Sequence, residues 1–254
     1  MHDPREGITP DGMIRTGATR AAIAPLYTSV LTAAVDALAG PVPLYVYGSV
    51  GTGTATPPTS DVDLLSVGLP AAEAERLSAA LSAGSVDLCR EVSVAPACWE
   101  DLESQSDEGY GLRVFLRHYC VHLAGADPSG GFGEYPADAR AARGFNGDIA
   151  QHLQRWRSAL EGDTEVARLG TRIARKTLLA VAALVSLRDA TWSTDRRACA
   201  VRWNELEPTI RVDTLVAWLD TPPGDRDTIA VVLEGPVAAI VGAFGSEIGL
   251  WASQ

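Results

Sequence analysis

Cysteine and lysine are both scarce in this chain of 254 residues. The four cysteines are Cys89, Cys98, Cys120 and Cys199, and no two of them have the C-x-x-C spacing of a zinc ribbon or a redox pair. Their number and scatter argue against a disulfide framework and favour a reducing compartment. Lys176 is the single lysine among 21 basic residues, and the bias toward arginine is typical of proteins from GC-rich bacterial genomes.

Positive charge and long apolar runs are also in short supply. The 21 basic residues stand against 32 acidic ones, and a formal charge of −11 does not favour a protein whose main task is to bind nucleic acid. The most apolar stretch, Leu178 to Leu187, is too short to cross a bilayer, so we expect no membrane partner. The N-terminal residues lack a basic segment followed by an apolar run, so we expect no signal peptide and a cytoplasmic location.

The hydrophobic pattern predicts an α+β protein with two domains. Residues 1–17, rich in glycine and proline, predict a flexible leader. Residues 18–128 predict a mixed sheet flanked by helices, with strands over 42–47, 62–67 and 86–94 and helices over 24–38, 71–83 and 112–123. The glycine-rich segment 125–135 marks the boundary. Residues 129–254 predict a helical bundle, with helices over 138–160, 164–189, 195–206, 211–220 and 226–252. Pro236 is expected to kink or break the last of them.

The segment 45–65 carries the most informative pattern. Gly48 and Ser49 follow a predicted strand, and main-chain N–H groups at such a turn can bind a phosphate. Asp61 and Asp63 alternate on the next strand, so both carboxylates are expected on one face, about 6–7 Å apart. Hard oxygen ligands of this kind suit Mg²⁺. A phosphate site beside two carboxylates is the layout that phosphoryl or nucleotidyl transfer through metal ions requires.

These motifs resemble a known family. Gly48-Ser49, a loop of eleven residues and then Asp-Val-Asp-Leu-Leu resemble the signature of the polymerase-beta-like nucleotidyltransferases. Residues 90–94 (Arg-Glu-Val-Ser-Val) resemble the strand that carries the third acid in the streptomycin/spectinomycin adenylyltransferases. Residues 123–128 (Leu-Ala-Gly-Ala-Asp-Pro) resemble the turn that often closes the family's catalytic domain.

The resemblance implies a nucleotidyltransferase-fold catalytic domain at 18–128 with a C-terminal helical bundle. It implies that Asp61 and Asp63 are catalytic residues that hold two Mg²⁺ ions, and that Gly48 and Ser49 bind the nucleotide. The co-substrate implied is ATP, from which AMP would be transferred to a hydroxyl.

The third carboxylate has two candidates, Glu91 and Asp87, which have the same parity on the predicted strand 86–94. Glu91 precedes the cleaner apolar alternation and matches the family strand, so we favour it over Asp87. Its expected role is that of a general base on the acceptor hydroxyl. Members of the family commonly carry a basic residue soon after the serine. In this chain the loop from Gly51 to Ser60 contains no basic residue.

The donors for the triphosphate are therefore expected elsewhere. A basic stripe on the predicted helix 164–189 is either a solvated face or a phosphate clamp across a cleft between the two domains; it consists of Arg168, Arg172, Arg175 and Lys176. Nearer alternatives are Arg113 and Arg117. A further candidate pair is Arg196 and Arg197, of which Arg197 precedes Trp203 by six residues, like a phosphate-binding lysine of the adenylyltransferases.

His118 and His122 have the i, i+4 spacing that can bind zinc on a helix. The H-E-x-x-H pattern of metalloproteases is absent, and we interpret the two as polar-face histidines.

The acceptor implied by the resemblance is a small hydroxylated molecule, and an acidic protein favours a cationic one such as an aminoglycoside. The biological role would then be antibiotic resistance. Two alternatives stay open: toxin-like transfer to RNA or protein, which needs a basic groove, and a nucleotide-binding module without catalytic activity. We expect a monomer or a weak dimer.

Overall fold

The computed structural model describes residues 3–38, 40–162 and 164–252. The chain divides into two compact units, Met1–Pro136 and Ala137–Gln254. The first unit combines helices with a mixed sheet, and the described part of the second is helical. The predicted α+β class is confirmed at this level.

The first unit consists of a short hairpin followed by a sheet with flanking helices. Its elements are β1 (Gly7–Ile8), β2 (Ile14–Arg15), α1 (Thr28–Asp36), β3 (Leu44–Tyr47), α2 (Gly48–Thr52), β4 (Val62–Val67), α3 (Ala71–Ala83), β5 (Val92–Ala97), α4 (Trp99–Glu103), α5 (Asp107–Tyr119) and β6 (Val121–Ala124). The four-stranded sheet has the order β5-β4-β3-β6. Strands β4 and β5 are parallel, whereas β3 is antiparallel to both of its neighbours.

The two faces of the sheet bury different halves of each strand, because side chains alternate along it. Val62 and Leu64 of β4 belong to a core cluster that also contains residues of α1 and α3. Leu65 and Val67 belong to a second cluster, with Leu116 of α5. Asp63 has the same parity as Leu65, so it lies on this second face, at the start of β4.

Helix α3 covers the outer edge of β5 with two serine hydroxyls. Ser82 Oγ accepts a hydrogen bond from the Val92 N–H (2.9 Å), and Ser78 Oγ accepts one from the Val94 N–H (2.9 Å). Pro96 follows at the same parity, where a missing N–H costs no hydrogen bond because the edge has no partner strand there. Serine side chains therefore satisfy the outward N–H groups of Val92 and Val94 at this edge of the sheet.

The N-terminal residues differ from the predicted flexible leader. In the described part, 3–17, β1 and β2 form an antiparallel pair. The Ile14 side chain is buried, and its N–H donates to the Tyr135 carbonyl (2.9 Å). The Tyr119 hydroxyl donates to Glu6 Oε1 (2.7 Å). These contacts hold the segment to the first unit.

One strand prediction and one helix prediction in the first unit are wrong in position. The third strand runs over Val92–Ala97 rather than 86–94, because the N–H groups of Leu88 and Cys89 both donate to the Ser85 carbonyl in a turn (2.9 and 3.0 Å). The predicted helix 112–123 ends at Tyr119. Its last residues form β6 instead, since they pair with β3.

The second unit is built around one long helix. Its elements are α6 (Ala139–Asn146), α7 (Ile149–Glu161), α8 (Val166–Arg188), α9 (Arg196–Leu206), α10 (Asp213–Ala217), α11 (Arg226–Val232), a π-helical turn (Leu233–Val237) and α12 (Ala238–Glu247). Helix α8 buries 13 of its 23 residues and packs against α6, α7, α9, α10 and α12. The chain leaves helical geometry at Gly235, next to Pro236, which confirms the predicted break.

One segment among the described residues, Arg226–Glu247, is long and apolar enough to cross a membrane by length and composition alone. The break at Gly235 interrupts it, and Ile229, Leu233 and Phe244 are fully buried within the protein. Of its most apolar window, 39% is buried within the protein, which is compatible with a soluble protein.

Candidate active site

The turn from β3 into α2 brings the main chain against a carboxylate. Gly48 has φ +66°, a left-handed conformation that glycine adopts without the steric cost of a side chain. A Cβ at this position would lie 2.9 Å from Oδ2 of Asp63. Gly48 therefore permits a close approach between the turn and Asp63. Ser49, the next residue, is half-buried, and its carbonyl accepts from the Thr54 N–H (2.8 Å).

Asp63 lies between two polar neighbours on adjacent strands. Its register partners are Tyr47 on β3 and Ser93 on β5. The Ser93 hydroxyl donates to Asp63 Oδ1 (3.1 Å). Burial raises the pKa of Tyr47, and the charge of Asp63 raises it further. The carboxylate is thus flanked by a donor and by a phenol that stays neutral at physiological pH.

Asp61 is paired with an arginine. Arg90 Nε donates to Asp61 Oδ1 (2.9 Å), and Arg90 Nη2 donates to Oδ2. The main chain fixes this juxtaposition: the Arg90 N–H donates to the Ser60 carbonyl (3.1 Å), and the Val62 N–H donates to the Glu91 carbonyl (2.9 Å). These bonds continue the β4–β5 pairing beyond the strand ends.

Arg90 is surrounded by acids from both strands. The hydrogen bond to Asp61 raises the pKa of Arg90 most, the charge of Asp61 adds to it, and the charges of Glu91 and Asp63 contribute in the same direction. The three carboxylates singled out from the sequence are therefore close enough to act on one guanidinium. Sequence reasoning did not assign a role to Arg90 or Ser93.

The two candidates for the third acid occupy different local structures. Glu91 directly precedes β5 and is exposed, two residues before Ser93. Asp87 lies in the turn before the strand, so the parity argument that admitted it does not apply there. The charge of Glu91 contributes to the raised pKa of Arg90.

The donor set limits how a metal ion could be held. The described residues contain no group of three or more His, Cys, Asp or Glu side chains that could hold one. Arg90 donates to both oxygens of Asp61, and Ser93 donates to one oxygen of Asp63. Mg²⁺ is usually bound by one or two carboxylates together with water and substrate phosphates, rather than by an all-protein cage. The two aspartates would fit a cation that displaces Arg90 from Asp61 and takes its other ligands from water and a phosphate.

The Gly-Ala-Asp-Pro turn after β6 is tied back to β3. Asp127 Oδ1 accepts from the Tyr45 hydroxyl (2.8 Å) and from the Ser129 hydroxyl (2.7 Å). Burial alone would raise the pKa of Asp127, but these donors lower it below the usual range. The turn therefore fastens the chain segment after the sheet to the strand that leads into Gly48.

The four basic residues of the stripe in the second unit differ in exposure and in their partners. Lys176 Nζ lies 2.7 Å from Asp148 Oδ1 and donates to the Phe145 carbonyl (3.0 Å). Burial tends to raise the pKa of Asp148, but His152 and Lys176 together lower it to about 2. The remaining stripe residues, Arg168, Arg172 and Arg175, are exposed. Lys176 is committed to an ion pair within its own unit, and the phosphate role of the stripe stays a prediction.

The alternative phosphate donors are partly engaged as well. Arg113 donates to the carbonyls of Leu102 and Ser104 (2.6 and 2.7 Å), whereas Arg117 is exposed. In the second unit, Arg196 donates to the Arg175 carbonyl (3.0 Å), and burial lowers its pKa. Arg197 forms an exposed ion pair with Asp220 (2.7 Å).

The two histidines do not share a helix. His118 is on α5, whereas His122 is on β6, so the i, i+4 zinc geometry does not form. His118 Nε2 accepts from the Tyr135 N–H (3.0 Å). Burial lowers the pKa of His118 to about 4, and the neighbouring Arg117 adds to this effect. His118 acts as a neutral structural acceptor.

No protein-family model matches the sequence, and no curated protein matches it either.

Proposed function

We propose that this protein is a Mg²⁺-dependent nucleotidyltransferase of the polymerase-beta-like type, which transfers AMP from ATP to a hydroxyl of a small acceptor. One observation carries the proposal. The Gly48 turn, Asp61, Asp63 and Glu91 lie at the same end of a mixed sheet, in the β3–α2 turn, at the start of β4 and directly before β5.

Each residue has a role that its position supports. Asp61 and Asp63 would hold Mg²⁺, and the Gly48 turn would bring main-chain N–H groups to the phosphates. Glu91, exposed at the start of its strand, would accept the proton of the acceptor hydroxyl. The hydroxyl oxygen then bonds to the α-phosphorus while the bond to pyrophosphate breaks. Bound Mg²⁺ would supply positive charge to the phosphates and make the hydroxyl more acidic.

The charge distribution supports a cationic acceptor. Residues 1–136 contain 7 basic and 17 acidic side chains, a formal charge of −10. A surface of this sign attracts cations and repels polyanions such as RNA. An aminoglycoside carries several ammonium groups and several hydroxyls, so it combines the charge and the nucleophile that the proposal needs.

Radiolabelled ATP tests the reaction directly. The protein, Mg²⁺ and a panel of aminoglycosides should yield a labelled antibiotic and pyrophosphate. Asp61→Asn and Asp63→Asn should abolish transfer, and Glu91→Gln should reduce kcat by about 100-fold or more, the usual contribution of a general base. Asp87→Asn, an exposed acid in the preceding turn, is the matched control and should retain activity.

The other outcomes are informative. Labelled RNA or protein without any labelled antibiotic would contradict the small acceptor and favour the toxin-like alternative. Binding of ATP and Mg²⁺ without turnover on any acceptor would contradict the enzyme and favour a nucleotide-binding module.

A further inference from the structure

The Arg90–Asp61 pair occupies the position where the proposed reaction needs a cation. Arg90 donates through Nε and Nη2 to both oxygens of Asp61, a two-point geometry that guanidinium forms with carboxylates and phosphates alike. Its charge also acts on Asp63 and Glu91. Arg90 therefore offsets part of the negative charge of Asp61, Asp63 and Glu91.

Because both side chains are accessible to solvent, a divalent cation can replace Arg90 at Asp61. The Arg90 side chain is 59% exposed and that of Asp61 is 25% exposed. Solvent screens the attraction between two charges that are both exposed to water. A divalent cation at Asp61 would bring twice the charge of the guanidinium and would repel it.

Nucleotide phosphates bound at the Gly48 turn would give Arg90 an alternative partner to Asp61. The segment from Val42 to Glu75 contains no Lys or Arg, so neither the Gly48 turn nor the following loop supplies a basic side chain. The main chain of Arg90 is fixed beside Ser60, whereas its guanidinium is exposed. A released guanidinium can thus turn without any change in the strand pairing.

We propose that Arg90 is a two-position side chain: it pairs with Asp61 in the nucleotide-free protein and binds nucleotide phosphate oxygens when a divalent cation takes Asp61. This inference rests on the proposed function, since it assigns a residue of the same site to phosphate binding. It makes two separable claims, competition between Arg90 and the cation, and a contact between Arg90 and the nucleotide.

Arg90→Gln tests both claims, with Arg76→Gln as the matched control. Arg76 is an exposed arginine on α3, and its loss changes the net charge equally. Without nucleotide, R90Q should bind Mn²⁺ roughly two- to fivefold more tightly than wild type, as measured by electron paramagnetic resonance, because an exposed ion pair no longer competes. With Mg²⁺ present, R90Q should bind ATP about tenfold more weakly in calorimetry, the loss expected for a charge-assisted hydrogen bond. R76Q should match wild type in both measurements.

The outcomes separate this inference from the function on which it rests. If wild type binds neither Mn²⁺ nor ATP, the proposed function fails and the inference falls with it. If wild type binds both and R90Q matches it in either measurement, only the role of Arg90 is wrong. If R90Q does not fold, R90K replaces it, because lysine keeps the positive charge but cannot donate two parallel hydrogen bonds. Unchanged ATP affinity in R90K would contradict the contact between Arg90 and phosphate.

Discussion

Gly48 and Asp63 constrain each other at the scale of single atoms. Any side chain at position 48 meets two costs, the left-handed φ of +66° and a contact of 2.9 Å with Asp63 Oδ2. Gly12 has a similar φ of +79° but has nothing within 4 Å of the same point. Substitution of Gly12 therefore measures the cost of the left-handed backbone alone, whereas substitution of Gly48 adds the contact with Asp63.

Gly12→Ala is expected to lower the free energy of unfolding by about 1–2 kcal/mol, the cost of a left-handed residue with a Cβ. Gly48→Ala should lower it more and should also weaken Mn²⁺ binding, because the carboxylate must move. Urea denaturation and Mn²⁺ titration measure the two effects. Equal losses of stability in both variants, with unchanged Mn²⁺ affinity, would show that Asp63 yields without cost.

The Asp148 carboxylate stabilises the second unit in a pH-dependent way. Its pKa is lowered to about 2 in the folded protein, against an ordinary value near 3.8. A lowered carboxyl pKa stabilises the fold fully above the unfolded value, and this stability is lost as the pH falls from about 4 toward 2. Asp148→Asn should cost about 2 kcal/mol at pH 7.

The difference between wild type and Asp148→Asn should disappear near pH 2, and urea unfolding at a series of pH values measures it. Asp227→Asn removes an exposed carboxylate of the same unit and should change stability by less than about 0.5 kcal/mol. A stability difference for Asp148→Asn that does not depend on pH would contradict the ion-pair account.

Single residues of the site were predictable where a local rule decides them. Strand alternation predicted that Asp63 lies on the face opposite Val62 and Leu64, and the Gly-Ser motif predicted a turn after the preceding strand. The Arg90–Asp61 pair was not predictable in this way. It depends on which residues of β4 and β5 lie side by side, and that register is set by pairing between distant segments rather than by either strand alone.

At the scale of elements, strand β5 depends on a helix for its outer hydrogen bonds. Ser78→Ala together with Ser82→Ala would leave the N–H groups of Val94 and Val92 without their acceptors. An unsatisfied buried donor costs about 1–3 kcal/mol, so we expect a loss of about 2–6 kcal/mol for the double variant. Ser158→Ala, an exposed serine on α7, is the control and should not destabilise the protein.

Hydrogen exchange localises this effect. The amides of Val92 and Val94 should exchange faster in the double variant, while those within α8 should stay protected. Unchanged protection at both amides would mean that water replaces the serine hydroxyls at no cost.

The same strand explains why its boundaries were predicted poorly. Val86 and Leu88 continue the apolar pattern before the strand begins, and Pro96 argues against a strand where one exists. Pro96 is tolerated because its missing N–H faces the outer edge of the sheet. Strand β6 was missed for a related reason: its apolar residues also fit the helical period, and pairing with β3 overrides that local preference.

At the scale of the whole molecule, charge is divided unequally between the two units. Residues 1–136 carry a formal charge of −10, whereas residues 137–254 contain 14 basic and 15 acidic side chains, a charge of −1. The acidic motif and the general excess of acid were readable from the sequence. The contacts of Tyr135 were not, because they join it to Ile14 and His118, far away in the chain.

These contacts decide how the first unit should be isolated. A fragment that ends at residue 128, the boundary predicted from the sequence, would lose the Tyr135 bonds to Ile14 and His118. A fragment of residues 1–136 retains them, along with the described sheet and the candidate acids. We therefore expect 1–136 to unfold at a higher temperature than 1–128.

The fragment 1–136 should keep the Mn²⁺ affinity of the full chain. It retains Asp61 and Asp63, the proposed cation ligands, and the residues removed carry a formal charge of only −1. Electron paramagnetic resonance with Mn²⁺ measures the affinity of both proteins, and Asp63→Asn in the fragment is the control that should lose binding. A fragment that binds Mn²⁺ more than about tenfold more weakly than the full chain would show that residues 1–136 do not form the cation site by themselves.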